Sequence, residues 1–213
     1  SDPFWINPED SISGSIRTKD LSLISLNPPK KPAESIWFNN GFINTNIKIG
    51  GSLIEPKLNG NVYSDLISFE LPSYGMKVNE GRLNAHLDEN VLTVEEMRLK
   101  DDTGQLNLKG SWALDNGEKK EVDVSINRFQ LLNTAQARFY TNGKIKLLSK
   151  PTNEVEIQGA ITIDNGTILI DAFEDESVEE VQLDENGGNE SLLEEEQEIY
   201  LDLALTLGNN LSI

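Results

Sequence analysis

The sequence predicts an all-β protein in which an elongated, curled sheet of antiparallel type forms an open trough with an apolar interior. Three observations predict the antiparallel sheet, and the third of them indicates that the sheet curls. Apolar and polar residues alternate with a period of two, turn residues separate the alternating runs, and a glycine recurs within the runs at a near-constant spacing. Because successive side chains of a strand point to opposite faces, each run gives a strand with one dry and one wet face. Buried parallel strands would instead show continuous apolar runs.

The alternating runs follow one another along the chain. In chain order, their apolar members are Ile43, Ile47 and Ile49; Ile67, Phe69 and Leu71; Leu83, Ala85 and Leu87; Leu106, Leu108, Trp112 and Leu114; Val122, Val124 and Ile126; Val155, Ile157, Ile161 and Ile163; and Leu201, Leu203, Leu205 and Leu207. The alternation changes phase between Val94 and Met97, where Glu95 and Glu96 are adjacent. This phase change predicts a β-bulge that keeps both halves of that strand on one face.

Turn chemistry lies between several of these runs. Three segments combine aspartate or asparagine with glycine, namely 101–104, 115–117 and 164–166. Asn-Gly pairs are typical of tight hairpins, so each segment is predicted to be a turn between two antiparallel strands.

A glycine flanked at a distance of two by apolar residues recurs at Gly14, Gly60, Gly110 and Gly159, with spacings of 46, 50 and 49 residues. Such a period predicts stacked supersecondary units. Because each glycine shares the parity of the apolar residues, it lies on the dry face and lets the sheet bend sharply towards that face.

Composition excludes several classes of function. The 36 acidic and 18 basic residues give a formal charge of -18, which disfavours binding to nucleic acid or to anionic membrane surfaces. There is no cysteine and one histidine, His86, so thiolate metal sites and sites with two imidazoles are absent. The longest uncharged stretch has 13 residues, too few to span a bilayer. We therefore expect no enzyme, no cofactor and no metal.

Charge also divides the chain. Residues 172–198 hold 12 of the 36 acidic residues and no lysine or arginine, whereas the rest of the chain has a net charge of only -6. We interpret 172–198 as a flexible acidic insertion loop between two strands. We expect residues 1–213 otherwise to be a single fragment of a longer, repetitive β-trough, because the last residues still have the pattern of a strand.

Several stretches resemble a known family. They are 41–60, with a Gly-rich turn and a small-x-x-Pro step; 80–85; 104–110; 157–161 followed by Asn165-Gly166; and 201–210. In this order they resemble the recurring units of TamB-like proteins of the AsmA-like superfamily, over most of residues 12–213. The acidic segment is longer than the family leads us to expect.

The resemblance implies a taco-shaped β-sheet with an apolar interior in the periplasm of a diderm bacterium. It further implies an inner-membrane anchor upstream, absent here, and an outer-membrane β-barrel partner of the assembly type, similar to TamA. The family is implicated in moving phospholipids to the outer membrane and in assembling autotransporters.

The motifs that suggest other chemistry have simpler explanations. Asp102-Thr103-Gly104 copies the core of an aspartic-protease motif, but that chemistry needs two such aspartates, and turn chemistry alone accounts for the residues. The acidic segment lacks the ligand spacing of an EF-hand. His86 falls on the polar side of its strand and is predicted to be a solvated surface residue.

The apolar residues leave two interpretations, a closed hydrophobic core or the lining of an open trough. The recurring glycines and the resemblance favour the trough, whose exposed apolar surface needs a partner. We predict that phospholipid acyl chains lie there, carried passively. The predicted lining residues are Leu58, Val62, Phe69, Leu106, Leu108, Trp112, Val124, Ile157, Ile161, Ile163, Ile170 and Leu203.

Two other functions remain open at the level of sequence. An open sheet has two free edges, to which the strand of an outer-membrane protein could add, so the protein would be an assembly factor. A polysaccharide-binding domain would show aromatic residues on the polar face, where only Tyr63 is expected.

Overall fold

A computed structural model describes residues 7–31, 34–114, 120–149, 154–169 and 198–212. Within them the chain forms ten strands: β1 (Gly14–Ser22), β2 (Trp37–Gly51), β3 (Pro56–Leu71), β4 (Met76–Asp88), β5 (Val91–Lys100), β6 (Gln105–Ala113), β7 (Lys120–Asn133), β8 (Ala137–Ser149), β9 (Glu154–Ile168) and β10 (Glu198–Ser212). The two helices found in these residues are single 3₁₀ turns, Leu23–Leu26 and Pro72–Tyr74, and neither is long or apolar enough to cross a bilayer.

All ten strands belong to one sheet, in which each strand pairs with the strand that follows it in sequence. From β1 to β9 every pair is antiparallel. The first and last strands do not pair with each other, so the sheet is open. The predicted all-β fold with an open, trough-like sheet is therefore confirmed.

The last pair departs from the predicted antiparallel type, because β10 runs parallel to β9 from Glu198 opposite Glu154 to Ser212 opposite Thr167. The predicted acidic insertion, 172–198, falls in the connection between these strands and, apart from Glu198, lies outside the described residues.

The register gathers the alternating apolar residues on one side of the sheet, which we call the apolar face. For example, Leu106 lies opposite Ile126 and Leu108 opposite Val124. The predicted bulge is confirmed: Ala85 pairs with Val94 and Asn84 with Glu96, so the strand gains one residue between them. Both halves of β5 therefore turn their apolar side chains to the apolar face.

The buried core lies towards one end of the strands, which we call the core end; it carries the β3–β4, β5–β6 and β7–β8 connections. The opposite end, with the β2–β3 and β4–β5 connections, is the far end. The core cluster consists of Leu23, Ile67, Phe69, Val78, Leu99, Ile126 and Phe129. Within it, Phe129 is 0% and Val78 1% exposed.

The sheet is not flat at the core end. Cα atoms of β4 and β7 approach within 8 Å although β5 and β6 lie between them, whereas three spacings of a flat sheet would separate them by about 14 Å. Gly75, at the end of the 3₁₀ turn between β3 and β4, lies directly against Asn133, the last residue of β7. The β3–β4 turn thus meets the end of β7, although β5 and β6 lie between these strands in the sheet.

Two of the recurring glycines have backbone conformations that other residues rarely adopt. The φ angles of Gly60 and Gly159 are +156° and +149°, and a Cβ atom at Gly60 would lie 2.1 Å from the carbonyl oxygen of Asn46. Gly110 has no such φ, but its Cβ would lie 2.3 Å from the oxygen of Glu121. A side chain at any of these three glycines would therefore collide with the backbone of the neighbouring strand. Gly14 makes only ordinary contacts.

The predicted turns had mixed outcomes. The segment 101–104 does connect β5 and β6. The segment 164–166 is not a turn, because it lies inside β9, where Asn165 pairs with Tyr140 and Gly166 with Phe139. The third predicted turn, 115–117, lies outside the described residues.

Candidate functional site: the apolar face

Cross-strand pairing arranges the apolar face in rows that run across the strands. One row contains Val62, Ala85, Val94, Gly110, Val122, Leu147, Ile157 and Leu201. The next row towards the core end contains Ser64, Leu83, Met97, Leu108, Val124, Ile145, Gly159 and Leu203. We call these two rows the central lane.

The register also locates the predicted lining residues. Five of them belong to the central lane: Val62, Leu108, Val124, Ile157 and Leu203. Leu106, Ile161 and Ile163 are on rows nearer the core end, and Leu58 and Trp112 are nearer the far end. Phe69 shares the same face, whereas Ile170 lies outside the described residues.

Access to the face differs from place to place. Leu58, Leu108, Val124 and Ile157 are half-buried, so part of each side chain is free to meet a ligand. On the edge strand β10, Leu201 is 69% exposed. Phe69, in contrast, is 6% exposed within the core cluster. It therefore points to the predicted side but is covered by the protein itself, which sequence reasoning did not anticipate.

The central lane presents hydrocarbon and almost no polar groups. Its polar side chain on β3, Ser64, is 1% exposed and donates its hydroxyl to the carbonyl oxygens of Phe42 and Leu66, at 2.6 and 3.0 Å. Backbone N–H and C=O groups of inner strands bond to the neighbouring strands in the ladder. A ligand lying on the lane would therefore find apolar contacts and no hydrogen-bond partners.

An aromatic residue marks the far end of the face. The Trp112 ring is 41% exposed, and the Lys120 ammonium lies 4.9 Å from its centroid. Such a cation–π contact keeps a charge in water beside an apolar surface. The fluorescence of Trp112 can therefore report a ligand that binds in the central lane.

The opposite face of the sheet is polar and carries ion pairs. His86 Nδ1 lies 3.2 Å from Glu95 Oε1 there, which agrees with its predicted surface position. The hydrogen bond and the charge of Glu121, 2.5 Å away, raise the pKa of the Lys146 amine. A raised lysine pKa keeps this pair intact at neutral pH and breaks it only as the pH rises through that pKa. Tyr63 lies on this face between Asn44 and Asn84.

The Asp-Thr-Gly segment is a structural turn. Asp101 Oδ1 accepts hydrogen bonds from the backbone N–H groups of Thr103 and Gly104, at 2.7 and 2.6 Å, and Oδ2 accepts one from Gln130 N at 2.6 Å. The carboxylate thereby ties the β5–β6 turn to β7. Among the residues that the structure describes, the neighbouring Asp102 accepts a hydrogen bond from the side chain of Asn79 and from no other group. No group of three or more His, Asp or Glu side chains in the described ranges could hold a metal ion.

Replacing Asp101 with alanine is expected to lower the free energy of unfolding by about 2 kcal/mol, because it removes charge-assisted hydrogen bonds to backbone N–H groups. Urea denaturation would measure the change. The matched Asp102→Ala variant should lose less than about 1 kcal/mol, because its one bond is exposed. Equal losses in the two variants would contradict the structural role of Asp101.

The sequence is similar to proteins of one known family. Residues 95–213, more than half of the chain, match a family described as the TamB C-terminal domain. The chain is also similar to the translocation and assembly module subunit TamB of Haemophilus influenzae, with 27% identity over 219 residues. The alignment covers 95% of this chain and 16% of that protein, so the chain spans only a small part of this relative's length. No solved structure matches the chain.

Proposed function

The chain belongs to the family of the TamB C-terminal domain, and we propose that it is a segment of a bridge-like lipid transport protein. In this proposal the apolar face carries phospholipid acyl chains between the inner and outer membranes. The segment acts as a passive conduit and performs no chemical reaction, and any direction of transport is imposed from elsewhere.

The observation that carries the proposal is the continuity of the apolar face. Its central lane is accessible from β5 to β10, and the face ends at the edge strand β10, where Leu201, Leu205 and Leu207 are 61–69% exposed. Monomeric proteins rarely leave such a continuous apolar surface uncovered. A hydrophobic ligand of extended shape would cover it.

The gain for an acyl chain is large. Moving one methylene from water to an apolar surface contributes about 0.8 kcal/mol, so a sixteen-carbon chain crossing water meets a barrier on the order of 10 kcal/mol. On the lane, each methylene leaves one apolar contact as it enters the next. The barrier to sliding is therefore much lower than the barrier to crossing water, while the headgroup stays hydrated.

The chemistry of the lane favours an acyl chain over a polypeptide. The backbone groups of the inner strands are already bonded to their neighbours in the sheet. A peptide lying on the lane would bury its own N–H and C=O groups without partners, which costs several kcal/mol for each group. An acyl chain has no such groups to satisfy.

Family membership supports a cellular setting for the conduit. The family's relative is named as a subunit of a translocation and assembly module. We propose that the whole protein works in the periplasm of a diderm bacterium, anchored in the inner membrane by an upstream segment. Its partner at the outer membrane would be a TamA-like β-barrel of the assembly type.

Native mass spectrometry of the purified protein would test the proposal. We expect bound phospholipid to co-purify and to be released by organic solvent, giving masses that match the lipids of the expressing cell. A protein that binds no lipid, even after incubation with phosphatidylethanolamine vesicles, would contradict the proposal.

A second function is favoured by the two free edges of the sheet. Within the described residues, β1 and β10 are the two edge strands of the sheet and have no neighbouring strand on their outer sides. The strand of an outer-membrane β-barrel or autotransporter protein could add to such an edge by backbone hydrogen bonds, so the protein would act as an assembly factor.

A proline on the edge strand β1 separates the two functions. Ile12 donates its N–H to Gly51 O. The backbone N–H groups of residues with the same parity, such as Ile16, therefore point towards β2. The N–H of Ser15, which has the opposite parity, points outwards from the sheet edge. Ser15→Pro should therefore remove an outer donor and spare the β1–β2 ladder, whereas Ile16→Pro should break that ladder.

If edge pairing at β1 is the function, Ser15→Pro should abolish capture of an unfolded outer-membrane strand in a pull-down and leave lipid binding unchanged. The conduit proposal expects lipid binding to persist in this variant as well. Loss of lipid binding in Ser15→Pro, with an unchanged circular dichroism spectrum, would contradict the independence of the two surfaces.

A further inference from the structure

We propose that acyl chains use only the central lane, because the protein's own side chains fill the half of the apolar face that lies towards the core end. This inference rests on the proposed function and assigns a route within it. Sequence alternation alone gives the two halves of the face the same pattern, so the restriction is a property of the folded structure.

The core half of the face is dry. The side chains of Val78 on β4 and Phe129 on β7 are 1% and 0% exposed, and they pack in one cluster with Ile67 and Leu99, each 7% exposed. Interiors packed in this way leave no voids that a hydrocarbon chain could enter. An acyl chain could reach these residues only by displacing the core.

A residue outside the strands helps to close this half. Leu23 belongs to the 3₁₀ turn that follows β1, yet it is 4% exposed and packs in the core cluster. Its Cδ1 atom occupies the space beside Gly41, where a Cβ atom would lie 2.8 Å away. Gly41 thus makes room for Leu23 as a plug on the apolar face.

A pair of hydrogen bonds holds the segment that carries the plug. The side chain of Asn27 accepts from Phe38 N and donates to Phe38 O, both at 2.8 Å. This paired contact fixes the chain just after the 3₁₀ turn against the start of β2. Leu23 is therefore held on the face by local geometry as well as by its apolar contacts.

The central lane, in contrast, remains accessible from β5 to β10, although its start is buried at Ser64 and Ala85, which are 1% and 3% exposed. Leu108, Val124 and Ile157 are half-buried, and Leu201 is 69% exposed at the edge. Adjacent rows on one face are separated by about 6.7 Å, twice the rise per residue of a strand. The lane thus offers a shallow strip of apolar surface between the core cluster and the far end, along which a single extended chain fits.

Two valines allow a matched test, because the sequence contains no cysteine. Val124→Cys places a thiol in the lane, and Val78→Cys places the same thiol in the core half. Each variant of the intact protein is treated with N-ethylmaleimide, with and without vesicles of phosphatidylethanolamine. The rate of labelling then reports whether each position is accessible and whether lipid covers it.

We expect the Val124→Cys variant to be labelled at least 100-fold faster than the Val78→Cys variant in the absence of lipid. Lipid should slow the labelling of the Val124→Cys variant at least tenfold. Leu108→Cys and Leu99→Cys form a second pair, in the lane and in the core half, in case Val78→Cys loosens the core. Labelling in urea should be equal in all four variants.

The outcomes separate the route from the function. If lipid protects the two core-half thiols as strongly as the two lane thiols, acyl chains use the whole face, so the route is wrong and the proposed function stands. If the two lane thiols are labelled but lipid leaves their rates unchanged, both the route and the proposed function are wrong.

Discussion

Aspartate in place of Leu108 is expected to stop the transfer of phospholipid while the protein still folds. Leu108 lies near the middle of the central lane, between Met97 and Val124. The change removes apolar contact worth about 2 kcal/mol and places a carboxylate on the path, where an acyl chain would have to desolvate it. An added barrier of about 3 kcal/mol corresponds to at least about a 100-fold slower transfer.

Transfer of fluorescent phospholipid between donor and acceptor vesicles would measure this effect, with barrier function of the outer membrane as the readout in cells. Because Leu108 is half-buried, we expect the free energy of unfolding to fall by only about 1–2 kcal/mol. Ile157→Asp, nearer the β10 end of the lane, should behave in the same way.

The matched control is Asn107→Asp, which adds the same charge to the same strand. Asn107 pairs with Arg98 and Ser125 on the polar face, so the charge stays in water and transfer should remain normal. Full lipid transfer and an intact barrier in the Leu108→Asp and Ile157→Asp variants would show that the lane is not the conduit.

Valine in place of Gly60 is expected to prevent or severely impair folding. The Cβ atom would lie 2.1 Å from Asn46 O and 2.7 Å from Ile47 Cα, and both are backbone atoms of the paired strand that cannot move aside alone. The φ angle of +156° adds a conformational penalty. Together these effects should lower the free energy of unfolding by at least about 3 kcal/mol.

The control for this change is Gly50→Ala, near the end of the same β2–β3 hairpin. A Cβ atom there would meet no other atom within 4 Å, so the thermal midpoint should stay within a few degrees of the unmodified protein. If Gly60→Val unfolds at the same temperature as Gly50→Ala, the close approach of strands at the recurring glycines is not a requirement of the fold.

Much of the sheet could be predicted from the sequence, because the side-chain period of a strand is independent of what the strand pairs with. The two faces and the bulge at Glu95 follow from local pattern, whereas the close approach of strands at Gly60 and Gly159 was not part of the prediction. Alternation favours antiparallel sheets because it indicates one solvated face, but it does not fix the direction of an individual edge strand. The parallel pairing of β10 with β9 was therefore not predicted, since alternation at Leu201–Leu207 fits either direction.

The Asn165-Gly166 pair shows where tertiary pairing overrides turn chemistry. Locally it favours a tight turn, but β8 continues opposite it, and the Asn142 side chain donates a hydrogen bond to the Asp164 carboxylate. The register shifts between Tyr140 and Thr141, which accommodates Asp164 as an extra residue in β9. One extra residue within a long strand thus produces a pattern that resembles a hairpin.

Closure of the core half could not be predicted for a different reason. It depends on contacts between strands that are distant in sequence, such as β4 with β7, and on Leu23 packing from outside the sheet. A useful signal was present in Gly41, whose missing side chain makes room for Leu23. Alternation identified Phe69 as a lining residue, but only the bend of the sheet shows that it is covered.

Fluorescence quenching at Trp112 tests most directly whether acyl chains occupy the apolar face. The other two tryptophans of the sequence would be replaced with phenylalanine, and the protein mixed with phosphatidylethanolamine brominated midway along its acyl chains. Because Trp112 lies one row from the central lane and is 41% exposed, we expect its emission to fall by at least half. Undiminished Trp112 emission with the brominated lipid in large excess over the protein would contradict the account.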